Sequence, residues 1–216
     1  KKEGETPLVR MEIFRKQNIT KDKRFKDIKM TYAGRLDPMA SGVLLVLIGE
    51  KCKEKEKYLK LSKQYDFEVL FGVATDTYDI LGKLTDVSMG KQIKKDIEKD
   101  IKHNLKFFKG KFLQKYPMYS SRTVAGLPLF SYARKGEEVE IPTKEINIKY
   151  LKFISLKKIT KKVLLVKIKK RILKVKGDFR QKEILKKWKE DLNKNTIPPY
   201  FFIASFKIKC SSGTYV

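Results

Sequence analysis

The sequence predicts a mixed α/β or α+β sheet fold. Several segments alternate apolar and polar residues, as half-buried strands do, and others repeat apolar residues at helical spacing. The strand-like and helix-like segments do not alternate strictly along the chain, so a regular succession of parallel strands and helices is not expected. With 216 residues the chain can bury a sizeable hydrophobic core. It lacks an apolar run of about 18 residues, so no membrane span is expected.

Two segments alternate clearly enough to predict half-buried strands. In segment 65–73, Tyr65 and Phe67 fall on one face, while charged residues fall on the other. Segment 201–210 repeats this pattern late in the chain. Its predicted inward positions are Phe202, Ala204, Phe206, Ile208 and Cys210.

Three further strands are expected from apolar runs. Segment 43–48 is apolar on both faces, which predicts a central strand covered on both sides. Segments 146–155 and 162–170 are rich in Ile, Leu and Val, and we expect two more strands there. The polar residues at 157–162 predict a turn between them.

Helical spacing predicts two helices, at 91–108 and at roughly 181–194. The apolar stripe of the first consists of Ile93, Ile97, Ile101, Leu105 and Phe108. The stripe of the second consists of Ile184, Leu185, Trp188 and Leu192. Between 116 and 142 the pattern weakens, and Gly, Pro, aromatic residues and Arg occur without a clean period. We expect a long ordered arm or loop there, as functional loops often are.

The charge of the chain favours an anionic partner. Lysine and arginine number 51 against 25 acidic residues, giving a net charge of +26 and an isoelectric point near 9.9. Segment 157–194 alone holds sixteen basic and four acidic residues. Such a stripe suits a surface that follows nucleic-acid phosphates. The alternative is that an AT-rich genome has enriched solvated surface lysines, and composition does not decide between the two.

The rarity of histidine and cysteine excludes several kinds of site. His103 is the one histidine, and it lies off the apolar stripe of its segment, so we expect a surface side chain. Cys52 and Cys210 are far apart, which predicts free thiols in a reducing cytoplasm and no metal site. No glycine-rich nucleotide-binding loop occurs, so no cofactor is expected. Enzymatic chemistry would have to use Asp, Glu, Tyr, Lys or Arg.

The segment 31–50, TYAGRLDPMASGVLLVLIGE, is the most informative for chemistry. Gly34, Pro38 and Gly42 surround Asp37 directly before the apolar segment. Glycine and proline can fix the backbone there, so that one carboxylate is held rigidly at a cleft. Such an aspartate can act as a nucleophile or as half of an acid/base pair. An aspartate that merely caps turn amides remains an alternative.

The same segment resembles a known family. GRLDPMASGVLLVLIGE is similar to the GxLDPxAxGxLxxxxGE signature of the TruB family of tRNA pseudouridine synthases. QYDFEVLFGVATDTYDILGKL resembles the family's KxYxxxxxxGxxTDTxDxxGxx segment, and KYPMYSSRTVAGLPLFSYARKGEEVEIP resembles PPxYSAxKxxGxxLYxYARxGxExE. CSSGTYV is similar to the start of CSKGTYIR, and KKEGETP to KPxGxTS. These motifs follow the family's order across nearly the whole chain.

The resemblance implies a fold and a reaction. The family has a mixed, largely antiparallel central sheet with flanking helices and an RNA-clamping arm. It isomerises a T-loop uridine of tRNA, at position 55, to pseudouridine by flipping the base and using an aspartate nucleophile. By resemblance, Asp37 is that nucleophile, Tyr65 stacks on the flipped base and takes part in proton transfer, and Asp79 belongs to the charge network of the active site.

Five substrate-binding residues are also implied. Lys53 matches a basic residue just after the GE of the first motif, and Tyr215 matches the tyrosine beside the family's active-site arginine. Met118 and Tyr119 match the stretch beside the RNA-clamping arm. Tyr32 stands where many members have a substrate-contacting histidine. The implied partner is the T-stem-loop of tRNA, bound by a cytoplasmic monomer without metal or cofactor.

Some features depart from the family pattern. The printed chain stops at Val216, one residue before the family's arginine, so we expect residues 1–216 to be a truncated catalytic domain without a complete active site. The C-terminal PUA-type domain is expected to be absent. Arg35 replaces a small residue. Segment 171–199 has no counterpart in shorter members, and we expect a basic insertion there, in addition to the arm at 116–142.

Two alternatives to a stand-alone tRNA enzyme stay open. A guide-RNA-dependent rRNA pseudouridine synthase shares the LDP motif but works within a ribonucleoprotein. A non-catalytic tRNA-binding or chaperone paralogue would need only the basic surface. The joint presence of Asp37, Tyr65 and Asp79 argues against the second alternative, because a pure binder has no need of all three.

Overall fold

The structure is a computed structural model that describes residues 1–87 and 97–216. It divides into two compact units. The first unit comprises residues 1–61 and 167–181, and the second comprises residues 62–166 and 182–216. Across these described ranges, no helix combines the length and the apolar character that a bilayer crossing requires.

The first unit opens with a helix that periodicity does not predict. α1 (Pro7–Ile19) follows Thr6, whose hydroxyl accepts a hydrogen bond from the Val9 amide at 3.2 Å. Proline at the first helical position suits this start, because its missing N–H has no intrahelical partner there anyway. The helix buries only Met11 fully, so its apolar residues form no clear stripe. The Thr-Pro pair was the available sequence signal.

A two-stranded sheet carries the first family motif. β1 (Met30–Ala33) pairs antiparallel with β2 (Leu45–Ile48), and the short helix α2 (Lys55–Leu59) comes after them. The prediction of a central strand at 43–48 is wrong, because β2 pairs only with β1 within the described ranges, and Val43 is 95% exposed. The apolar residues instead serve a small local cluster formed by Ala33, Leu47 and Cys52, with Tyr58 packed against it.

Gly4 ties the two chain segments of the first unit together. Its amide donates to the Pro38 carbonyl at 2.8 Å, and its carbonyl accepts from the Lys176 amide at 2.9 Å. A Cβ at this position would lie 2.2 Å from the Lys174 carbonyl oxygen, and the backbone φ is +86°. Only glycine fits such a close approach in this conformation. Glu3 adds ion pairs to the same region.

The second unit is built on an antiparallel sheet. Its strands in chain order are β3 (Lys63–Leu70), β4 (Ala74–Thr75), β5 (Leu84–Asp86), β6 (Gly110–Lys115), β7 (Thr123–Val124), β8 (Leu127–Pro128), β9 (Thr143–Thr160) and β10 (Tyr200–Cys210). The sheet order is β3-β10-β9-β6, and every neighbouring pair is antiparallel. β4 pairs with β5, and β7 with β8. The predicted α+β fold with a largely antiparallel sheet is therefore confirmed.

The predicted alternation holds for most of the two central strands. In β10, Ala204, Phe206, Ile208 and Cys210 are buried as expected, but Phe201 is fully buried and Phe202 only partly. The prediction for Phe202 is therefore wrong. The buried face of β10 changes between Phe201 and Ala204. The bulge opposite Ser205 and Phe206 adds a residue to β9 and leaves the alternation of β10 from Ala204 to Cys210 unbroken.

Aromatic residues fill much of this core. Phe67 of β3 stacks on Phe206 of β10 with ring centroids 5.3 Å apart, and Phe153 of β9 meets Phe206 edge to face at 6.0 Å. The helix α3 (Ile97–Asn104) covers this cluster with Ile101. Rings in these geometries contribute beyond their buried area.

The expected strand at 162–170 is a helix. β9 runs unbroken to Thr160 through much of the expected turn, and α5 (Lys161–Ile172) begins at the next residue. Both predictions are therefore wrong. The buried residues of α5 are Leu164, Ile168 and Ile172. Their four-residue spacing is helical, but the β-branched residues between them gave the segment the composition of a strand.

The two predicted helices are present. The part of 91–108 that falls at 91–96 lies outside the described residues, and the remainder forms α3 followed by a 3₁₀ turn at Leu105–Phe108. The second is α6 (Gln181–Leu192), whose stripe includes the buried Trp188. His103 is exposed, as expected. Both cysteines are free and buried.

The expected arm at 116–142 has more structure than a loop. It contains the β7–β8 pair and a short helix, α4 (Leu129–Lys135). Gly136 ends this helix in the left-handed region with φ of 72°. The hydroxyl of Tyr132 on α4 donates to the Val124 carbonyl of β7 at 3.1 Å, which joins the helix to the strand pair.

Candidate active site

The predicted site residues are divided between the two units. Tyr32, Asp37 and Lys53 belong to the first unit. The remaining five belong to the second unit: Tyr65, Asp79, Met118, Tyr119 and Tyr215.

The loop that carries Asp37 is held by its backbone. It follows β1, and the Lys1 ammonium donates to the carbonyls of Asp37, at 2.9 Å, and of Ala40. The Gly4 amide binds the Pro38 carbonyl, and the Ala40 amide donates to the Asp37 carbonyl at 2.9 Å. These contacts all use main-chain oxygens of the loop. The loop is therefore fixed without engaging the Asp37 side chain.

The carboxylate of Asp37 is left available for chemistry. It is exposed at the surface and accepts no hydrogen bond from the part of the chain that the structure describes. The turn amide of Ala40 binds the carbonyl of Asp37 and not its carboxylate, so the alternative of a turn-capping aspartate is not supported.

Two opposing effects set the ionisation of Asp37. Although the side chain reaches solvent, the protein around it excludes part of its hydration, which raises the pKa of Asp37 above its ordinary value. The Lys1 ammonium and the Arg35 guanidinium act in the opposite direction, because a nearby cation favours the carboxylate form. Arg35, the departure from the family pattern, is thus an electrostatic neighbour of the candidate nucleophile.

Tyr32 and Lys53 lie on other elements of the first unit. Tyr32 is a half-buried residue of β1 opposite Val46. Lys53 lies in the 3₁₀ turn Gly49–Glu54 and pairs with Glu50. The pair is exposed, so it contributes little to stability. The structure records no ion pair between Lys53 and Asp37.

Asp79 is held in the opposite manner, through its side chain. One carboxylate oxygen, Oδ1, accepts hydrogen bonds from the Thr77 hydroxyl at 2.8 Å and from the Leu81 amide at 2.9 Å. The Thr75 hydroxyl donates to the Asp79 carbonyl at 2.8 Å. Asp79 is thus part of the hydrogen bonding that shapes the loop between β4 and β5. Sequence reasoning missed Thr75 and Thr77, although the TDT string contains both.

The α6 helix braces the same loop. Trp188 is 1% exposed, and its indole Nε1 donates to the Gly82 carbonyl at 3.0 Å. Glu183 at the start of α6 pairs with Lys83. The Lys83 amide in turn donates to the Asp76 side chain at 2.8 Å. The segment expected to be a basic insertion therefore supplies a structural support for the loop of Asp79.

Tyr65 lies on the apolar face of the central sheet. It is a half-buried residue of β3 opposite Ile208 of β10. It packs against a buried cluster of Ile146, Ile148, Ile208 and Cys210. A tyrosine at the edge of a core cluster can contribute to packing and still present part of its ring.

Tyr215 is fixed by a glutamine that the sequence did not single out. The side chain of Gln114 in β6 donates to the Tyr215 carbonyl at 2.7 Å and accepts from its amide at 3.0 Å. The ring of Tyr215 meets Tyr116 edge to face, with centroids 5.7 Å apart. The Arg122 guanidinium lies 5.3 Å from the centre of the Tyr116 ring. Gln114 and Tyr215 are 101 residues apart, so no local signal indicates this contact.

Met118 and Tyr119 lie in a turn at the base of the arm. The Ser120 amide donates to the Pro117 carbonyl at 3.1 Å and closes the turn around them. These two residues directly follow Tyr116 and Pro117 in the chain. Tyr116 and Arg122 are additional candidates for RNA contact that sequence reasoning missed.

The basic segment presents lysines to solvent. On α5, four exposed lysines take part in no ion pair with any described residue: Lys162, Lys167, Lys169 and Lys170. Unpaired lysines on one helix can meet phosphate groups without first breaking an internal contact. Among the residues that the structure describes, no three His, Cys, Asp or Glu side chains cluster closely enough to hold a metal ion.

Comparisons with known proteins give the family. Residues 21–173 match the model of the TruB family pseudouridylate synthase (N terminal domain). The chain is 36% identical over 135 residues to tRNA pseudouridine synthase B of Malacoplasma penetrans, covering 62% of this chain and 56% of that protein. It is 41% identical over 126 residues to that of Caldanaerobacter subterraneus, covering 58% and 43%. The chain thus spans about half the length of the curated relatives it matches.

A eukaryotic relative and a solved structure extend the comparison. The chain is 38% identical over 122 residues to tRNA pseudouridine synthase 4 of Schizosaccharomyces pombe, covering 56% of this chain and 29% of that protein. The crystal structure of a Cbf5-Nop10-Gar1 complex matches 100% of this chain and 39% of its own chain, with a TM-score of 0.51 and 14% identity, and so supports the fold alone. The family match spans most of the chain and contains both aspartate loops; the chain belongs to the TruB family of pseudouridylate synthases.

Proposed function

We propose that this protein is a tRNA pseudouridine synthase, an isomerase that converts a T-loop uridine, position 55, into pseudouridine. The observation that carries the proposal is the Asp37 carboxylate, which is exposed and accepts no hydrogen bond within the described ranges, on a loop whose backbone is fixed. Its relatives named tRNA pseudouridine synthase B support tRNA as the substrate.

The reaction requires only groups that this chain contains. The bond between N1 of uracil and C1′ of ribose breaks, a bond between C5 and C1′ forms, and the proton on C5 is lost while N1 gains one. Atoms and electrons balance without an oxidant, a reductant or a cofactor. Asp37 is the nucleophile that attacks the target nucleoside as the glycosidic bond breaks. Desolvation by the surrounding protein raises the pKa of Asp37, while the nearby Lys1 and Arg35 cations favour the ionised carboxylate that this attack requires.

The other site residues bind and position the RNA. Tyr65 stacks on the flipped base and offsets part of the cost of unstacking, about 1–3 kcal/mol per base. Asp79 contributes negative charge near the reacting nucleotide. Tyr32 and Lys53 contact the substrate.

Three further residues are proposed to contact the T-stem-loop, namely Met118, Tyr119 and Tyr215. The arm at 116–142 clamps the loop, and the basic insertion at 171–199 adds phosphate contacts. The protein acts as a cytoplasmic monomer.

A tritium-release assay tests this proposal. A T-stem-loop RNA labelled at C5 of its uridines should release tritium to water when the purified protein is added, because the C5 proton leaves. Asp37→Asn should reduce this rate by about a thousandfold or more, since an amide cannot act as the nucleophile. Asp27→Asn, which changes an exposed acidic residue of the same unit, is the matched control and should retain full activity.

Each alternative has its own outcome in this assay. Substantial turnover by Asp37→Asn would exclude Asp37 as the nucleophile. RNA binding without any tritium release would indicate a binding protein or chaperone. Release that depends on an added guide RNA would indicate the guide-dependent class of enzyme.

A further inference from the structure

Tyr78 has a conformation that its residue type rarely adopts. It lies in the TDTYD string between β4 and β5, and its backbone φ is 63°. Left-handed backbone is strained for residues with a Cβ, and bulky side chains enter it least often, because the Cβ crowds the carbonyl oxygen. Glycine, asparagine or aspartate would fit this position with less strain. A tyrosine here therefore needs a reason other than local stability.

Hydrogen bonds in the surrounding loop maintain the strained backbone conformation of Tyr78. The Tyr78 amide donates to the Thr75 carbonyl at 3.2 Å. The next residue, Asp79, is bound on its carbonyl by the Thr75 hydroxyl and on its carboxylate by the Thr77 hydroxyl, both at 2.8 Å. Strained residues persist where neighbouring contacts over-determine the backbone, and they cluster at functional sites.

The brace from α6 strengthens this argument. Trp188 donates to the Gly82 carbonyl at 3.0 Å, and a Cβ at Gly82 would lie 2.3 Å from the Thr77 hydroxyl oxygen. The loop is thus packed closely enough that even a methyl group does not fit. Tyr78 is presented by a rigid support, so little conformational entropy is lost when a partner meets it.

The ring of Tyr78 is not packed into the protein interior. Its side chain is 82% exposed, and within the described ranges it takes part in no hydrogen bond, ring contact or cation–π contact. Phe107, another exposed aromatic residue, has the Lys106 ammonium 5.1 Å from its ring centre and the His103 ring at its edge. Within the described ranges, Tyr78 therefore combines a strained backbone with an exposed ring that has no partner, whereas the Phe107 ring has two.

We propose that Tyr78 is a stacking platform for an unstacked nucleobase of the RNA substrate, adjacent to the nucleotide that meets Asp79. This inference rests on the proposed function. Single-stranded loops of RNA are recognised by stacking their splayed bases on aromatic side chains. The net charge of +26 attracts the phosphate backbone, and a rigid, exposed ring beside a motif aspartate supplies the face for a base. The occupant is thus a base of single-stranded RNA.

Three variants distinguish the contribution of the Tyr78 ring to RNA affinity from the effect of its strained backbone. Tyr78→Ala removes the ring and should weaken binding of an unmodified T-stem-loop by roughly 10-fold to 100-fold, the range for loss of one stacked base. Tyr78→Phe retains the ring and should bind within about twofold of the parent protein. Tyr78→Asn removes the ring but suits the left-handed backbone, so it should lose affinity like Ala while its melting temperature rises.

A control and a salt series complete the test. Phe107→Ala removes a different exposed ring from the same unit and should leave RNA affinity unchanged. Stacking involves no counterion release, so the affinity ratio between Tyr78→Ala and the parent should stay constant as salt increases. A ratio that disappears at high salt, or a Tyr78→Phe variant as weak as Tyr78→Ala, would overturn the stacking role.

The outcomes also separate this inference from the proposed function. If the parent protein releases tritium from labelled RNA but all three Tyr78 variants bind normally, the stacking inference fails and the proposed function stands. If the parent shows no tritium release but Tyr78→Ala still weakens RNA binding as described, the proposed function fails and the stacking contact stands.

Discussion

The loops of Asp37 and Asp79 hold their carboxylates in opposite ways. The Asp37 loop is fixed through main-chain carbonyls, by the Lys1 ammonium and the Gly4 amide, and its carboxylate accepts no hydrogen bond in the described part of the chain. The Asp79 loop is fixed through the carboxylate itself, which binds Thr77 and Leu81. A nucleophile needs free lone pairs, whereas a carboxylate that shapes a loop has committed one oxygen to it. The two motif aspartates are therefore held differently, one with its carboxylate unbound within the described ranges and one with an oxygen bonded into its loop.

The two loops also differ in where their support comes from. The Asp37 loop is supported by the first residues of the chain, within its own unit. The Asp79 loop is supported by Trp188, which is 106 residues away from Gly82 in sequence. The family match ends at residue 173, so this second support lies outside the matched range. A loop of the family motif can therefore depend on a segment that the motif does not describe.

Removal of the brace should have the greatest effect on stability. Trp188→Ala leaves a cavity and an unpaired Gly82 carbonyl, so the free energy of unfolding should fall by about 3–5 kcal/mol, measured by urea denaturation. Trp188→Phe keeps most of the packing and should lose about 1 kcal/mol for the missing hydrogen bond. Lys182→Ala changes an exposed position of the same helix and serves as the control.

The part of the second unit that is destabilised in the Trp188→Phe variant shows whether Trp188 specifically supports the loop between β4 and β5. Hydrogen exchange in the Trp188→Phe variant should increase at the amides of Gly82 and Lys83 more than in the central sheet. Uniform exchange across the second unit would mean that Trp188 supports the core in general and that the loop has no special dependence on it.

A pair of substitutions at Asp79 tests whether its oxygen or its charge matters for the fold. The hydrogen bonds from Thr77 and Leu81 go to the same oxygen, Oδ1. Asp79→Asn keeps an acceptor there and should change the free energy of unfolding by less than about 0.5 kcal/mol, whereas Asp79→Ala should lose about 1–3 kcal/mol. Thermal and urea unfolding measure both. If Asn were as destabilising as Ala, the negative charge would be the stabilising element.

The smallest of these expected effects is a shift of the pH–rate profile after substitution of Arg35. Its guanidinium lowers the pKa of Asp37, so Arg35→Gln should raise that pKa further. If the ionised Asp37 carboxylate is the nucleophile, as proposed, the acidic limb of the pH–rate profile should move to higher pH. Lys21→Gln removes a positive charge elsewhere in the same unit and should leave the limb in place. A shift to lower pH, or an equal shift in both variants, would contradict the assignment.

Local periodicity correctly predicted the helices and strands whose buried residues follow one regular spacing. β3, most of β10 and α6 follow directly from the spacing of residues such as Phe67, Phe206 and Ile184. α1 was missed because it buries only Met11 fully. α5 was mistaken for a strand because its β-branched residues suit a sheet, although its buried positions repeat every four residues.

The sequence proposes the residues of the candidate site but not the contacts that hold them. The motif strings indicated Asp37 and Asp79, yet no local pattern shows that one carboxylate is unbound and the other forms part of its loop. Contacts such as Gln114 to Tyr215 join residues 101 positions apart. Such pairings depend on the register of the whole sheet, which a reading of short segments does not determine.

The contacts of Gly4 have a consequence for how the protein is made. Gly4 bonds to Pro38 and to Lys176, and the first unit consists of two chain segments separated by most of the second unit. A ribosome delivers residues from the N-terminus onward, so residues 62–166 emerge before Lys176 can reach Gly4. The Gly4 contact that joins the Asp37 loop to Lys176 therefore forms only after residues 62–166 have been synthesised, and until then this part of the surroundings of the candidate nucleophile is incomplete.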